Sequence, residues 1–163
     1  MNIEELRNVQ LVLTDALKEV IKICDENNIT YFLMYGSLLG AVRHNGFIPW
    51  DMDVDIAMPR KDYNLFIKIA PQKLSKLFFL QNSKSDSYCN ITSARLQIVG
   101  TRIYENKNRK NIGNNDRLHI DICPLDYVKC SKGIKAKFLN YLVLFLIRLK
   151  NYKMGFKNVD KNK

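Results

Sequence analysis

The sequence has few of the features that announce a metal-thiolate, secreted or membrane-spanning protein. Its four cysteines, Cys24, Cys89, Cys123 and Cys130, show no C-x-x-C spacing, so a thiolate zinc site is not indicated. Cys24 and Cys123 lie within apolar patterns and read as small core residues. Nothing calls for disulfides, which fits a reducing compartment. The opening Met1-Asn2-Ile3-Glu4-Glu5 is polar and acidic, unlike a secretory leader, and a cytoplasmic location is expected. Without a leader, the sequons Asn28-Ile29-Thr30 and Asn90-Ile91-Thr92 carry little weight. The longest apolar run, residues 138–147, falls short of the ~20 residues that a membrane-crossing helix needs.

What is present suits one folded domain. Hydrophobic residues make up 47% of the 163 and charged residues 26%, which argues against wholesale disorder. The net charge is +10, but it is unevenly spread. Residues 1–128 hold 16 Lys/Arg against 15 Asp/Glu, a balance of +1, whereas residues 129–163 hold 10 against one, a balance of +9. A basic tail of this kind suits an anionic surface such as a membrane, a nucleic acid or a teichoic-type polymer.

Chemistry concentrates in one stretch, Met34–Arg60. Tyr31-Phe32-Leu33-Met34-Tyr35 reads as a buried strand, Gly36-Ser37 as a turn, and Leu38–Arg43 as a short helix. Glycine at a strand-to-helix turn lets backbone approach a ligand closely. Amides at the helix start and the Ser37 hydroxyl suit phosphate oxygens. Beyond the next turn, Val54, Ile56 and Met58 alternate with Asp53 and Asp55, the period of a strand. Residues two apart on a strand share a face roughly 6.5–7 Å apart. Two carboxylates so placed repel unless a positive charge lies between them. Mg²⁺, which takes one or two carboxylates and then substrate phosphates, meets that need. Asp51 suits either a metal contact or a cap on the turn after Pro49. Each piece alone is commonplace, since Gly-Ser is often only a turn and D-x-D often only surface. Their union in one short span is not.

The remaining elements read as follows. Residues 4–28 form an amphipathic helix with Leu6, Val9, Leu13, Ala16, Leu17, Val20 and Cys24 at helical spacing, and Asn2 with Glu5 resembles a capping box. Arg60–Ala70 is a helix that Pro71 interrupts, with a second short helix over 72–77. Phe78–Gln81 is a strand, and 82–90 a surface loop. Ala94–Val99 and Thr101–Glu105 suggest strands paired around Gly100, with Arg95 and Arg102 suited to a solvated strand face or to a phosphate. Residues 106–117 are a basic, Asn-rich loop. Leu118–Val128 is a strand with Leu118, Ile120 and Ile122 facing one way and His119, Asp121 and Cys123 the other. Asp121 is a third carboxylate, as a metal ligand or as a base for an acceptor hydroxyl. His119 reads as structural or assisting, and Asp126 as stabilising a turn. Residues 133–152 form a helix suited to an interface or a core.

The segments G-S-L-L-G-A-V-R-H, G-F-I-P-W-D, D-V-D-I and M-P-R resemble the LicD family of phosphotransferases, which are similar to fukutin-related protein and have the nucleotidyltransferase fold. Where the family often has a further acid, this chain has Met52; related members carry an apolar or aromatic residue there. A second family element, usually I-D-I-F-P-L-D, stands here as Ile120-Asp121-Ile122-Cys123-Pro124-Leu125-Asp126. The resemblance covers roughly Tyr31 to Tyr127. It implies an α+β fold, a mixed sheet flanked by helices, over residues 1–128, followed by a basic, apolar helical segment, 129–163. It implies transfer of a phospho-alcohol, such as phosphocholine, from a CDP-choline-like nucleotide donor to a glycan or lipid-linked glycan acceptor. The implied site has Asp53, Asp55 and Asp121 holding Mg²⁺ or Mn²⁺, with Gly36, Ser37 and Arg43 on phosphate. Arg43 suits equally an ion pair with an aspartate. Family members run longer, so a truncated product, a split gene or a minimal domain is expected. The alternative function is an inactive remnant that binds a membrane or nucleic acid through its basic tail, or a nucleotidyltransferase with another small acceptor.

Overall fold

The apolar stripe of the first segment becomes a long helix, α1 (Ile3–Glu26), opened by the expected capping box. The Asn2 carboxamide accepts from the Glu5 amide, and the Glu5 carboxylate accepts from the Asn2 amide, both at 2.8 Å. These bonds satisfy two amides that the helix cannot pair itself. The computed structural model describes residues 2–86, 92–103 and 117–127, together with Tyr141, Leu142 and Phe145. The expected loop at 106–117 lies, except for Arg117, outside these residues, as do the last two residues of the expected strand at 101–105 and most of the 133–152 helix.

After α1 come strand β1 (Phe32–Leu33), helix α2 (Tyr35–His44), strand β2 (Asp55–Pro59) and helix α3 (Arg60–Lys73). Strands β3 (Phe78–Gln81), β4 (Ala94–Ile98) and β5 (His119–Leu125) complete the sheet. Its order is β1-β2-β5-β4-β3. The central pair, β2 and β5, is parallel, and the other three pairings are antiparallel. This is the expected α+β architecture, a mixed sheet with helices.

Register assigns the two faces. Ile56, Ile122 and Ala94 stand in one cross-strand row, and Ile120, Leu96 and Leu80 in the next. All six are at most 4% exposed, and they pack with Leu13, Ala16, Val20 and Ile23 of α1 and Phe66 and Ala70 of α3. Full burial of each large aliphatic side chain contributes roughly 1.5–3 kcal/mol. The opposite face carries the row Asp55, Asp121, Arg95 and Gln81. One side of the sheet is therefore core and the other carries chemistry.

Several local expectations are corrected. The strand around Phe32 is only two residues long and Phe32 is half exposed, because Tyr35 turns into the left-handed region (φ 47°) and starts the helix. Pro71 does not interrupt α3 but sits in its last turn, where a missing amide breaks little. No second helix follows; Leu74 is the C-cap. Strand β4 pairs with β3 and β5, and 101–103, the described part of the strand expected after Gly100, form no strand. Cys24 is a buried core thiol, pushed up to about 12 by burial and by Asp25 and Asp62. Cys123 is not core: it is partly exposed on the carboxylate face, and burial with Asp121 and Asp55 raises its pKa.

The chain divides into two compact units, Met1–Asp126 and Tyr127–Lys163. In the second, Tyr141, Leu142 and Phe145 are helical and exposed. Among the described residues no helix is long and apolar enough to cross a membrane.

Candidate active site

The site begins where β2 begins. Asp55 is its first residue, and Asp53 lies before it, exposed and outside the ladder. The expected strand carrying both aspartates is thus shorter, for a local reason. The Asp51 carboxylate accepts from the Asp53 amide at 3.3 Å, a side-chain turn that competes with sheet pairing. Asp51 therefore does cap the chain after Pro49. Its own carbonyl accepts from the buried Gln10 carboxamide at 2.8 Å, so α1 reaches the site. A polar residue between Leu6 and Leu13 in the apolar stripe was the sequence signal for that contact.

Asp121 lies directly across from Asp55 on the parallel strand, and its amide donates to the Val54 carbonyl at 2.9 Å. Neighbouring strands lie about 4.8 Å apart, so two carboxylates from separate parts of the chain share one patch. Burial raises the Asp55 pKa, followed by the charges of Asp121, Asp53 and Asp51, while His119 opposes them. Three neighbouring aspartates thus press on the Asp55 carboxylate. The expected third carboxylate takes its place beside Asp55.

Asp121 is also held from the other side. Arg95 Nε donates to its Oδ1 at 3.0 Å, so Arg95 is neither solvated nor idle. Its opposite register to Asp121 across antiparallel strands could not be read from spacing. His119 Nδ1 lies 2.8 Å from the Arg117 carbonyl. A carbonyl only accepts, so Nδ1 carries the proton, and Nε2 faces Asp121 Oδ2 at 3.7 Å.

Helix α2 delivers the Gly-Ser pair inside its first turn, not in a turn before it. The first helical bond runs from the Leu38 amide to the Met34 carbonyl, so the amides of Tyr35, Gly36 and Ser37 precede it. Ser37 Oγ accepts from the Asp55 amide at 2.9 Å, which ties the helix start to the carboxylate strand. At Gly36 a Cβ would stand 2.8 Å from Asp51 Oδ2, so the glycine lets that carboxylate rest against the helix start. Arg43 is exposed in the last turn of α2, two helical turns or about 10 Å from Gly36. There it complements the helix dipole.

Past the strand ends a second contact links the two motifs. Arg60 holds Asp126 through two bonds, Nε to Oδ1 at 2.7 Å and NH2 to Oδ2 at 2.6 Å, and its guanidinium lies 5.5 Å from the Tyr63 ring centre. Asp126 thus makes a long-range pair, where a local turn was expected. Arg60 holds its carboxyl below the usual range. A depressed carboxylate contributes stability at neutral pH that is lost as pH falls through its folded value. We expect Asp126→Asn to melt slightly below wild type near neutral pH. Thermal melts should show that gap closing only in strongly acidic buffer; a gap that widens with acid would contradict the pairing.

The donor set is hard oxygen. Among the described residues no three His, Cys, Asp or Glu side chains form a ready metal cage. Asp55 and Asp121 nonetheless fit an ion that needs only one or two carboxylates and completes its shell with substrate phosphates and water.

The strands, the paired aspartates and the Gly-Ser helix start all fall within residues that match a known family domain. The family model for the LicD/FKTN/FKRP nucleotidyltransferase domain matches residues 28–141. The chain belongs to the LicD family. Over 108 residues it is 34% identical to the lipopolysaccharide cholinephosphotransferase LicD of Haemophilus influenzae, covering 65% of this chain and 40% of that protein. It is 40% identical over 50 residues to human ribitol 5-phosphate transferase FKRP, covering 31% of this chain and 10% of that protein. An uncharacterized protein of Rickettsia typhi is 44% identical over 62 residues, 38% of this chain and 20% of its own length. The chain spans less than half the length of the curated LicD-family relatives it matches.

Proposed function

We propose that this LicD-family chain carries a phosphotransferase site that moves a phospho-alcohol from a CDP-activated donor to a hydroxyl of a cell-surface glycan or its lipid-linked precursor. The observation that carries this reading is the register pairing of Asp55 with Asp121, with Ser37 bonded to the Asp55 backbone. It places acidic oxygens beside a helix start suited to phosphate. The transferases among the relatives, which act by name on cholinephosphate and ribitol 5-phosphate, support the same class of substrate.

In this proposal Asp55 and Asp121, with Asp53 and Asp51 close by, hold Mg²⁺ or Mn²⁺. A bound divalent ion would neutralise charge that develops on the donor phosphates. The leading amides of α2, that of Gly36 among them, and the Ser37 hydroxyl orient one phosphate. Asp121 or His119 Nε2 takes the proton from the acceptor hydroxyl as it attacks phosphorus; CMP leaves as that bond breaks. Arg43, two turns further along α2, adds a positive charge for the donor or acceptor.

The test is CMP release from CDP-choline and CDP-ribitol by the full chain, with Mg²⁺ and a lipooligosaccharide acceptor. Acceptor-dependent CMP release that chelation abolishes is expected. Release by neither donor, from a chain shown to be folded, would overturn the reading.

A further inference from the structure

We infer that Arg95 is a positioning residue: it acts as a built-in cation that claims one oxygen of Asp121 and so limits how tightly the site holds its divalent ion. The inference rests on the function proposed above. Arg95, Asp121 and Asp55 stand side by side on three adjacent strands, giving charges in the order plus, minus, minus. The Arg95–Asp121 contact is direct, 3.0 Å, with side chains only 24% and 32% exposed. A guanidinium keeps its charge throughout the working pH range. On its far side stands Gln81, fully buried and bonded to Gln97 at 2.8 Å and to Asp86 at 2.7 Å. The arginine is thus wedged beside a fixed polar wall, with Asp121 directly opposite it.

The consequence is competitive. Two carboxylates side by side on adjacent strands repel each other. Arg95 relieves part of that load permanently, before any metal arrives. A divalent ion must then share Asp121 with the guanidinium. Weaker holding suits an ion that enters and leaves with a nucleotide.

The experiment is Mn²⁺ titration of the full chain, with free Mn²⁺ read by electron paramagnetic resonance. Arg95→Met is expected to tighten Mn²⁺ binding about tenfold, and Arg95→Lys, which keeps charge without the guanidinium fork, by less. The tightening should vanish when Arg95→Met is placed on Asp121→Asn, because nothing is left for Arg95 to withhold. Thermal melts establish folding; should Arg95→Met not fold, Arg95→Lys with and without Asp121→Asn makes the same comparison. Unchanged or weaker binding in the folded arginine variants would overturn the inference while leaving the metal site intact. Tightening that persists on Asp121→Asn would also overturn it, as an effect of bulk charge. No Mn²⁺ binding by wild type would overturn the proposed metal site and this inference together.

Discussion

Asp55→Asn is expected to abolish transfer while making the folded domain more stable. The carboxylate is half-buried, and Asp121, Asp53 and Asp51 all press on its charge. Asparagine keeps its shape and its strand amide, which donates to Ser37, but sheds the repulsion. In cation-free buffer the variant should melt about 4 °C above wild type, corresponding to about 1 kcal/mol for a domain of this size. Added Mg²⁺ should raise the wild-type melting temperature and leave the variant unmoved, since binding to the native state alone stabilises it. Transfer should fall by ~10³ or more, the order expected when charge stabilisation of a transition state is lost. Such a pairing of greater stability with lost activity marks a site that tolerates strain for function. A variant that melts lower and still turns over would show that Asp55 merely holds the strand.

The second large effect belongs to Gly40, in the interior of α2. A Cβ there would stand 2.5 Å from the Gly46 carbonyl oxygen and 2.9 Å from the Ile48 amide nitrogen. Both are backbone atoms, so no rotamer change can relieve the clash. Overpacking of this kind costs typically 1–3 kcal/mol, more than the ~1 kcal/mol that alanine contributes to a helix interior. Gly40→Ala should lower the melting temperature by several degrees. It should also impair the site, because the displaced turn leads into Asp51, whose amide donates to the Ile48 carbonyl at 2.9 Å. Gly46→Ala is the control: a Cβ there meets nothing within 4 Å. Equal melting of the two variants in calorimetry would remove Gly40 from this role.

Much of this was legible from residue order, and the limits were physical. Period-two alternation named the faces of β5 correctly, because a core on one side forces Ile120 and Ile122 inward and leaves His119 and Asp121 outward. The capping box of α1 was legible because its chemistry spans only four residues, Asn2 to Glu5. Contacts across strands were not. Nothing in spacing says that Arg95 faces Asp121, or that Arg60 reaches Asp126, since both depend on the sheet order. Alternation also overextended β2: Asp53 fits the period, but Asp51 captures its amide first. Pro71 signals a break in the sequence yet makes none, because it sits in the last turn of α3, where the helix is about to end.

The parallel pairing of β2 with β5 carries a consequence for how the protein comes to exist. Asp55 and Asp121 lie 66 residues apart in the chain, and β5 is the strand that joins the β1–β2 piece to the β3–β4 piece. On a ribosome the earlier strands emerge as two separate ribbons with no common sheet. Only when β5 slots between them do the hydrophobic interior and the acidic patch appear, in one event of high contact order. Repulsion between the Asp55 and Asp121 carboxylates therefore arises only at the moment of closure, as a cost that the burial completed in the same event has to outweigh.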